Sequence, residues 1–243
     1  MSKLFELVVP AYNESKNLRQ VIERAIQAAQ QQSLTPQDFT LVVVENGSTD
    51  DSKAVLEQLS QTNLGNWFRV VQVFKNQGYG FGIWSGLQQT NAEFVGWTHA
   101  DQQCDPLDAI KAMRIVQETS GKKLLVKGER CERHPRDKFV SRVFETIARI
   151  VLGLKVYEIN AQPKVFSKGL LNLLKEPPLT FAFDLYVLYN AKKAGYEFEP
   201  LQVRFPPRIH GTSKWAATFF GRYKTILGMI KYMFHLAGRE GRI

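Results

Sequence analysis

The stretch Leu41–Asp51, LVVVENGSTDD, decides the reading of this chain. Four apolar residues, three of them β-branched, run without interruption into Glu45-Asn46 and then into Gly-Ser-Thr-Asp. An unbroken apolar run of this length, closed by turn residues, fits a strand buried on both faces, as in a parallel sheet. In open parallel sheets, ligands bind outside the carboxyl ends of the strands. An acid and an amide placed where the strand stops are therefore candidates for a ligand, with a plain Asn-Gly turn as the alternative.

Working outward, strands and helices alternate. Leu4–Pro10 is an apolar run broken only by Glu6, and Glu14–Gln32 carries apolar residues at helical spacing (Leu18, Val21, Ile22, Ala25, Ile26). A helix from Asp50 to Leu59, a strand Arg69–Phe74, a Gly-rich turn entering a helix over Gly78–Thr90, and a strand Glu93–Thr98 follow. A helix from Pro106 to Thr119 and a strand Lys123–Val126 complete the regular part. The pattern predicts an α/β fold with a mostly parallel sheet covered by helices on both faces. Tyr12, Asn13 and Glu14 follow strand one, Glu45 and Asn46 strand two, and His99, Ala100 and Asp101 strand four, so all should meet on one edge.

The second half is less regular. Helices are expected over Arg136–Leu152 and Phe183–Ala194, a short strand over Lys164–Phe166, and extended chain over Tyr196–Arg204. The last helix, Trp215 to Leu236, is amphipathic, with Lys224, Lys231 and His235 on one side. Its longest uncharged runs are seven residues, against the roughly twenty that a membrane crossing needs. An amphipathic helix can instead lie in a membrane interface; a core helix or a protomer contact is the alternative. The division expected is a domain over 1–212 and a basic amphipathic tail over 213–243.

Composition sets further bounds. The 243 residues are 44% hydrophobic and 12% aromatic, which gives a real core and argues against disorder. Net charge is +9, and from Arg204 onward eight Lys or Arg face a single acid, Glu240. Such a tail suits phosphates on a nucleotide or an anionic membrane. Its cations alternate with bulky apolar residues, so nucleic acid is not the expected partner. Cys104 and Cys131 lack metal-site spacing and read as free thiols of a reducing compartment. No secretory pattern opens the chain, and the expected location is cytoplasmic, at the inner membrane face.

Three segments carry candidate chemistry. In WTHADQQCDP (Trp97–Pro106), extended backbone would turn His99 and Asp101 to the same side with Gln103 close behind. A carboxylate beside a diphosphate implies a bridging divalent cation, while Asp105, just before Pro106, is the better helix cap. In NQGYGFGIWSG (Asn76–Gly86), Gly78 and Gly80 would let backbone approach a sugar or phosphate, or else allow tight helix–sheet packing. The spacing is not a dinucleotide fingerprint. In RIHGTSKW (Arg208–Trp215), Arg208, His210, Ser213 and Lys214 surround a glycine before a helix, an arrangement suited to anions. RCERHPRDK (Arg130–Lys138) is a second cationic cluster.

Together with VVPAYNESKNL and FAFDLYVLYNAKKAGYEFEPLQVRF, these segments resemble the family 2 glycosyltransferases of the GT-A fold, closest to the dolichyl- or polyprenyl-phosphate sugar synthases. The likeness spans residues 8 to 215. It implies that Pro10, Ala11, Tyr12 and Glu14 line a nucleotide pocket and that Glu45 and Asn46 grip base and ribose. It further implies that the strand-four motif holds Mg²⁺ or Mn²⁺ and the diphosphate, through Asp101 and His99 with Ala100 and Gln103. Arg208, Ser213 and Lys214 would meet the phosphates of a UDP- or GDP-sugar. Asp184 occupies the family's acidic position, as base or acceptor-positioning group. Two departures stand out: Glu45-Asn46 replaces the usual Asp-Asp, and His99 replaces the first Asp of DxD, where imidazole suits Mn²⁺ better than Mg²⁺. The implied reaction is inverting transfer of a sugar to a polyprenyl phosphate, serving cell-envelope glycans. A glycan hydroxyl acceptor and a non-catalytic binding protein on a degenerate transferase fold are the alternatives.

Overall fold

The computed structural model describes residues 3–119, 121–131, 135–208 and 219–243. Its centre is a seven-stranded sheet in the order β3-β2-β1-β4-β6-β5-β7. β1 (Phe5–Ala11) pairs in parallel with β2 (Phe39–Asn46) and β4 (Phe94–Trp97), and β2 in turn with β3 (Phe68–Val73). The sheet is thus mostly parallel, as expected. The exception is β6 (Lys164–Ser167), which lies antiparallel between β4 and β5 (Leu124–Arg130). β7 (Glu197–Val203) closes the far edge in parallel with β5, and its Pro200 sits where only an edge strand tolerates a missing N–H.

Alternation along each strand divides the core in two. Leu7, Val9, Leu41 and Val43 face α1 (Ser15–Gln31), α2 (Ser52–Ser60) and α4 (Pro106–Glu118). Val8, Val42 and Val44 face α3 (Tyr79–Leu87), α5 (Pro135–Leu152), α6 (Phe183–Lys193) and α7 (Phe219–Glu240). The apolar stripe of α1 that the sequence shows is the one it buries: Leu18, Val21, Ile22, Ala25, Ile26 and Ala29. α4 starts as its sequence requires, with Asp105 Oδ1 accepting the Leu107 N–H at 2.9 Å ahead of Pro106.

The last helix is longer at its carboxyl end than expected and buries Met229, Met233 and Leu236 in the same core as α6. One face of it is therefore a core face. Residues 209–218, with the expected boundary at 212/213 and the helix start at Trp215, lie outside the described residues.

Candidate active site

Strand register brings the three polar tips together. Ala11 lies opposite Glu45, Pro10 opposite Val44, and Val8 opposite Trp97. The Thr98 N–H then donates to Val8 O at 3.0 Å, so the chain leaving β4 stays against β1. The ends of β1, β2 and β4 thus sit side by side on the carboxyl edge of the sheet.

The residues after Asn46 fasten the loop after β1. Asn13, in the left-handed region at φ 57°, donates its N–H to Ser48 Oγ at 3.0 Å and accepts the Thr49 N–H at 2.8 Å. The Glu14 N–H reaches Ser52 Oγ at 3.1 Å, and the Ser15 N–H reaches Asp50 Oδ2 at 3.1 Å. GSTDDS is accordingly a clamp that fixes where Tyr12 and Glu14 stand, both half-buried at the carboxyl edge of the sheet. Pro10 packs against the helix carrying Gly82, while Ala11 and Ala100 are buried in the core on the α1 and α4 side.

Glu45 and Asn46 do not share a direction. Successive strand residues point to opposite faces, and these two obey that rule although the expectation had both turned to one nucleoside. Glu45 Oε1 accepts the Ser48 N–H at 2.6 Å and its Oε2 accepts from Gln72. Asn46, on the other face, donates to Gly78 O at 3.1 Å, and its buried Oδ1 has no hydrogen-bond partner among the described residues. Each Glu45 oxygen already accepts one hydrogen bond, whereas Asn46 Oδ1 accepts none among the described residues.

The strand-four motif also departs from expectation. β4 ends at Trp97, and the chain then bends, with Gln102 at φ 62°, so the alternation premise fails for His99 and Asp101. Both ring nitrogens of His99 turn to protein: Nε2 lies 3.3 Å from Tyr79 Oη and Nδ1 3.9 Å from Cys104 Sγ. Burial first, with help from the Lys164 and Arg208 charges, pulls its pKa below the usual histidine value; Asp101 and Asp184 oppose this. Neutral imidazole is the form that binds metals, so what counts against His99 as a ligand is that both its nitrogens already face protein groups. Burial drives the Cys104 thiol up to about 12, keeping it an uncharged neighbour.

Asp101 is different. Its Oδ1 accepts the Gln103 N–H at 3.1 Å, and its Oδ2 pairs with Arg208 Nη2 at 2.7 Å. Gln103 completes the tie, accepting from Arg208 Nε at 3.1 Å and donating to Pro206 O at 2.9 Å. Gln103 and Arg208 are 105 positions apart in sequence, and the fold brings them into contact. Burial raises the pKa of Glu14, and the negative charges of Asp101 and Asp50 push it the same way. Two acids thus crowd a point where a guanidinium already supplies positive charge. The expected partners Ser213 and Lys214, with His210, lie outside the described residues.

Does this donor set fit a divalent cation? No cluster of three or more His, Cys, Asp or Glu side chains exists among the described residues. One carboxylate plus the nearby Glu14, with a substrate diphosphate supplying further oxygens, is how Mg²⁺ or Mn²⁺ is commonly held in phosphate chemistry. The residues fit that mode, in which Asp101 would be the protein ligand.

Asp184 has a role the sequence did not reveal. Its carboxylate is fully buried, with Oδ1 2.5 Å from Lys164 Nζ and 2.8 Å from Gln162 Nε2. Gln162 also donates to Tyr79 Oη at 3.1 Å, so a chain of contacts runs from Lys164 and Asp184 through Gln162 and Tyr79 to His99. Burial lowers the pKa of Lys164, and Asp184 opposes the shift. Burial likewise holds the Tyr79 hydroxyl well above the usual tyrosine value. Asp184 does not present itself to a substrate as a base would. Lys164, Gln162 and Tyr79 were missed; their one signal was a lysine inside the apolar run Pro163–Phe166.

Gly78 and Gly80 take the second of their two expected roles. A Cβ on Gly78 would lie 2.4 Å from Leu179 O, and one on Gly80 2.3 Å from Pro178 O. The room they leave is filled by the Pro178–Thr180 backbone, so they pack α3 against protein and do not cradle a phosphate.

Comparison with known proteins agrees with this layout. A family model described as "Glycosyl transferase family 2" matches residues 6–158. The chain is 29% identical over 114 residues to undecaprenyl-phosphate 4-deoxy-4-formamido-L-arabinose transferase of Proteus mirabilis (strain HI4320), covering 46% of this chain and 33% of that protein. The enzyme of the same description in Pseudomonas syringae pv. syringae (strain B728a) is 27% identical over 116 residues, covering 48% of this chain and 33% of that protein. The matched stretch is thus about a third of the length of these relatives. Among solved structures, mannosyl-3-phosphoglycerate synthase from Rubrobacter xylanophilus superposes with a TM-score of 0.76 at 16% identity, over 99% of this chain and 76% of that one. Glucosyl-3-phosphoglycerate synthase from Mycobacterium tuberculosis, in complex with Mn²⁺, UDP and glucosyl-3-phosphoglycerate, gives 0.70 at 19%, over 99% and 81%. At these identities the two structures establish the shared fold.

Proposed function

The chain belongs to glycosyl transferase family 2, and from that membership we propose that it moves a sugar, with inversion, from a UDP- or GDP-sugar to a polyprenyl phosphate. The observation that carries this reading is the Asp101–Arg208 pair at 2.7 Å, set beside three converging strand ends. A carboxylate and a guanidinium held in contact are the two groups that a metal-bridged diphosphate needs: one to hold the cation, one to meet phosphate oxygens.

In this reading the nucleotide lies over the β1 and β2 tips, within reach of Tyr12, Glu14 and the free Asn46 Oδ1. An acceptor oxygen attacks the anomeric carbon as the bond to the β-phosphate oxygen breaks, and the electron pair leaves with the nucleoside diphosphate. When bound at Asp101, a divalent cation would neutralise charge developing on that leaving group. Arg208, released from Asp101, would stabilise the same charge from its other side, with Ser213 and Lys214 as further candidates. Two observations favour a phosphate over a sugar hydroxyl as acceptor. A phosphate oxygen is already ionised at neutral pH and needs no base, and the acid at the base position, Asp184, is buried against Lys164. The partial relatives are named as undecaprenyl-phosphate transferases, which supports the same class. The location that follows is peripheral, at the inner membrane face; no helix among the described residues is long and apolar enough to cross a membrane.

The test is transfer from a panel of UDP- and GDP-sugars with Mg²⁺ or Mn²⁺, offered either undecaprenyl phosphate or free oligosaccharides. Metal-dependent formation of a glycosyl phospholipid from one donor is the expected result. Product only on oligosaccharides would retract the phosphate acceptor. No donor turnover of any kind would favour a non-catalytic binding protein.

A further inference from the structure

α5 has two outward faces that its packing does not use. Phe144, Ala148 and Leu152 enter the core. Outside, Phe139, Val143 and Ile150 are exposed by 68%, 45% and 64%, and their spacing puts them in one stripe along the helix. One step around the helix, Lys138, Arg142 and Arg149 share a second face, which with Lys155 lines an open cleft of about 780 Å³. Two of the three acids lining that cleft are engaged inward, Glu158 pairing with Arg130 at 2.6 Å and Glu145 accepting the Glu158 N–H at 2.6 Å, so with Glu129 counted the cations still outnumber the acids five to three. Among the described residues, none of Lys138, Arg142, Arg149 or Lys155 forms an ion pair.

α7 packs beside α5, joined at their carboxyl ends by the Ile243 N–H donating to Leu152 O at 2.9 Å. It too shows apolar side chains to water, Leu227 at 46% and Phe234 at 60%, next to the exposed Lys224 and Lys231. Exposed apolar groups of this size, rimmed by charge, mark an interaction surface. A second copy docked through the same face would set like charges against each other. A free anion would satisfy the cations and leave the apolar stripe wet. A bilayer with anionic head groups satisfies both.

We propose that the α5–α7 face seats the protein on an anionic bilayer. Head-group phosphates enter the cleft at Lys138, Arg142, Arg149 and Lys155, and Phe139, Val143 and Ile150 sink to the head-group boundary alongside Leu227 and Phe234. This deepens the lipid-acceptor reading and rests on it for its purpose: α5 follows β5 at the carboxyl edge, so the seated face begins at the edge that holds Asp101.

The experiment is flotation of the full chain with vesicles of phosphatidylcholine alone or mixed equally with phosphatidylglycerol. Binding to the mixed vesicles only, weakened by salt, is expected. Phe139→Ser with Ile150→Ser should lower that binding at least tenfold, and Lys138→Gln with Arg142→Gln and Arg149→Gln should lower it about fivefold per cation. Circular dichroism should show both variants folded, since every altered side chain is exposed. Wild-type protein that ignores mixed vesicles, or variants that float like wild type, would overturn the proposal. So would a stripe variant whose only change is loss of a dimer in sedimentation. Transfer to a short-chain, water-soluble polyprenyl phosphate separates the two readings. Transfer without vesicle binding removes this surface alone, and vesicle binding without transfer to either phosphate removes the acceptor reading alone.

Discussion

Two ion pairs flank His99, and they are built for different purposes. Asp184–Lys164 is sealed, with the two side chains 2% and 0% exposed. Asp101–Arg208 stands at the carboxyl edge of the sheet, its Arg208 side chain 25% exposed and its partners drawn from a turn and a distant loop. A sealed pair cannot trade partners, because removing either member strands a charge away from water. A partly exposed pair can exchange one cation for another. The contrast sets a rigid pair on one side of His99 and a partly exposed one on the other, with Gln162 and Tyr79 linking His99 to the sealed pair.

Substitution of Asp184 should have the largest effect on the fold. Asp184→Ala leaves the Lys164 ammonium buried without its counter-charge and should cost about 3–5 kcal/mol, read by urea unfolding. A loss below about 1 kcal/mol would mean that Lys164 sheds its proton or finds water, and that the pair is not sealed. Asp101→Ala should behave in the opposite way: near-native stability with transfer reduced by about 10²–10³-fold or more, read from initial rates at saturating donor. Unchanged turnover would remove Asp101 from the chemistry.

Those two outcomes also mark what could be read from the sequence. The meeting of the three strand tips was legible because each of three apolar runs ends in polar residues and parallel neighbours in register must bring such ends together. The sealed pair was not, since Lys164 and Asp184 belong to different elements and meet only through the antiparallel placement of β6, which no local pattern encodes. The turned-in His99 was missed for a similar reason: the bend at Gln102 removes the alternation that would have aimed it with Asp101. Gly78 and Gly80 resembled ligand glycines because their packing partner, Pro178–Thr180, is a hundred residues away.

A smaller effect sharpens the contrast from the sealed side. Lys127, opposite Lys164 across β5 and β6, is 3% exposed and donates only to Gly128 O among described groups, at 2.9 Å. Burial, helped by the Lys164 charge, pulls it down from 10.5 to about 8. Below pH 8 both folded and unfolded chains hold the proton, and the folded state carries the cost of a buried ammonium. Between pH 8 and 10.5 the unfolded chain binds more protons, so stability rises with pH. Lys127→Met should therefore stabilise the protein at pH 7, by up to about 3 kcal/mol on that shift. The gain should fade as pH climbs through the window, as paired denaturant melts at pH 7 and pH 10 would show. The smallest effect expected is that of Tyr79→Phe, which removes the hydroxyl joining Gln162 to His99 and should cost about 1–2 kcal/mol in the same melts.

What all of this depends on is a cation and a nucleotide arriving together at the ends of β1, β2 and β4. Thermal unfolding of wild type and Asp101→Asn with Mn²⁺, with UDP or GDP, and with metal and nucleotide combined is the most direct measurement. Wild type should be stabilised by one nucleotide only when Mn²⁺ is present, and Asp101→Asn should lose that joint gain while unfolding normally alone. Equal stabilisation of the two proteins, or none in wild type under any combination, would contradict it.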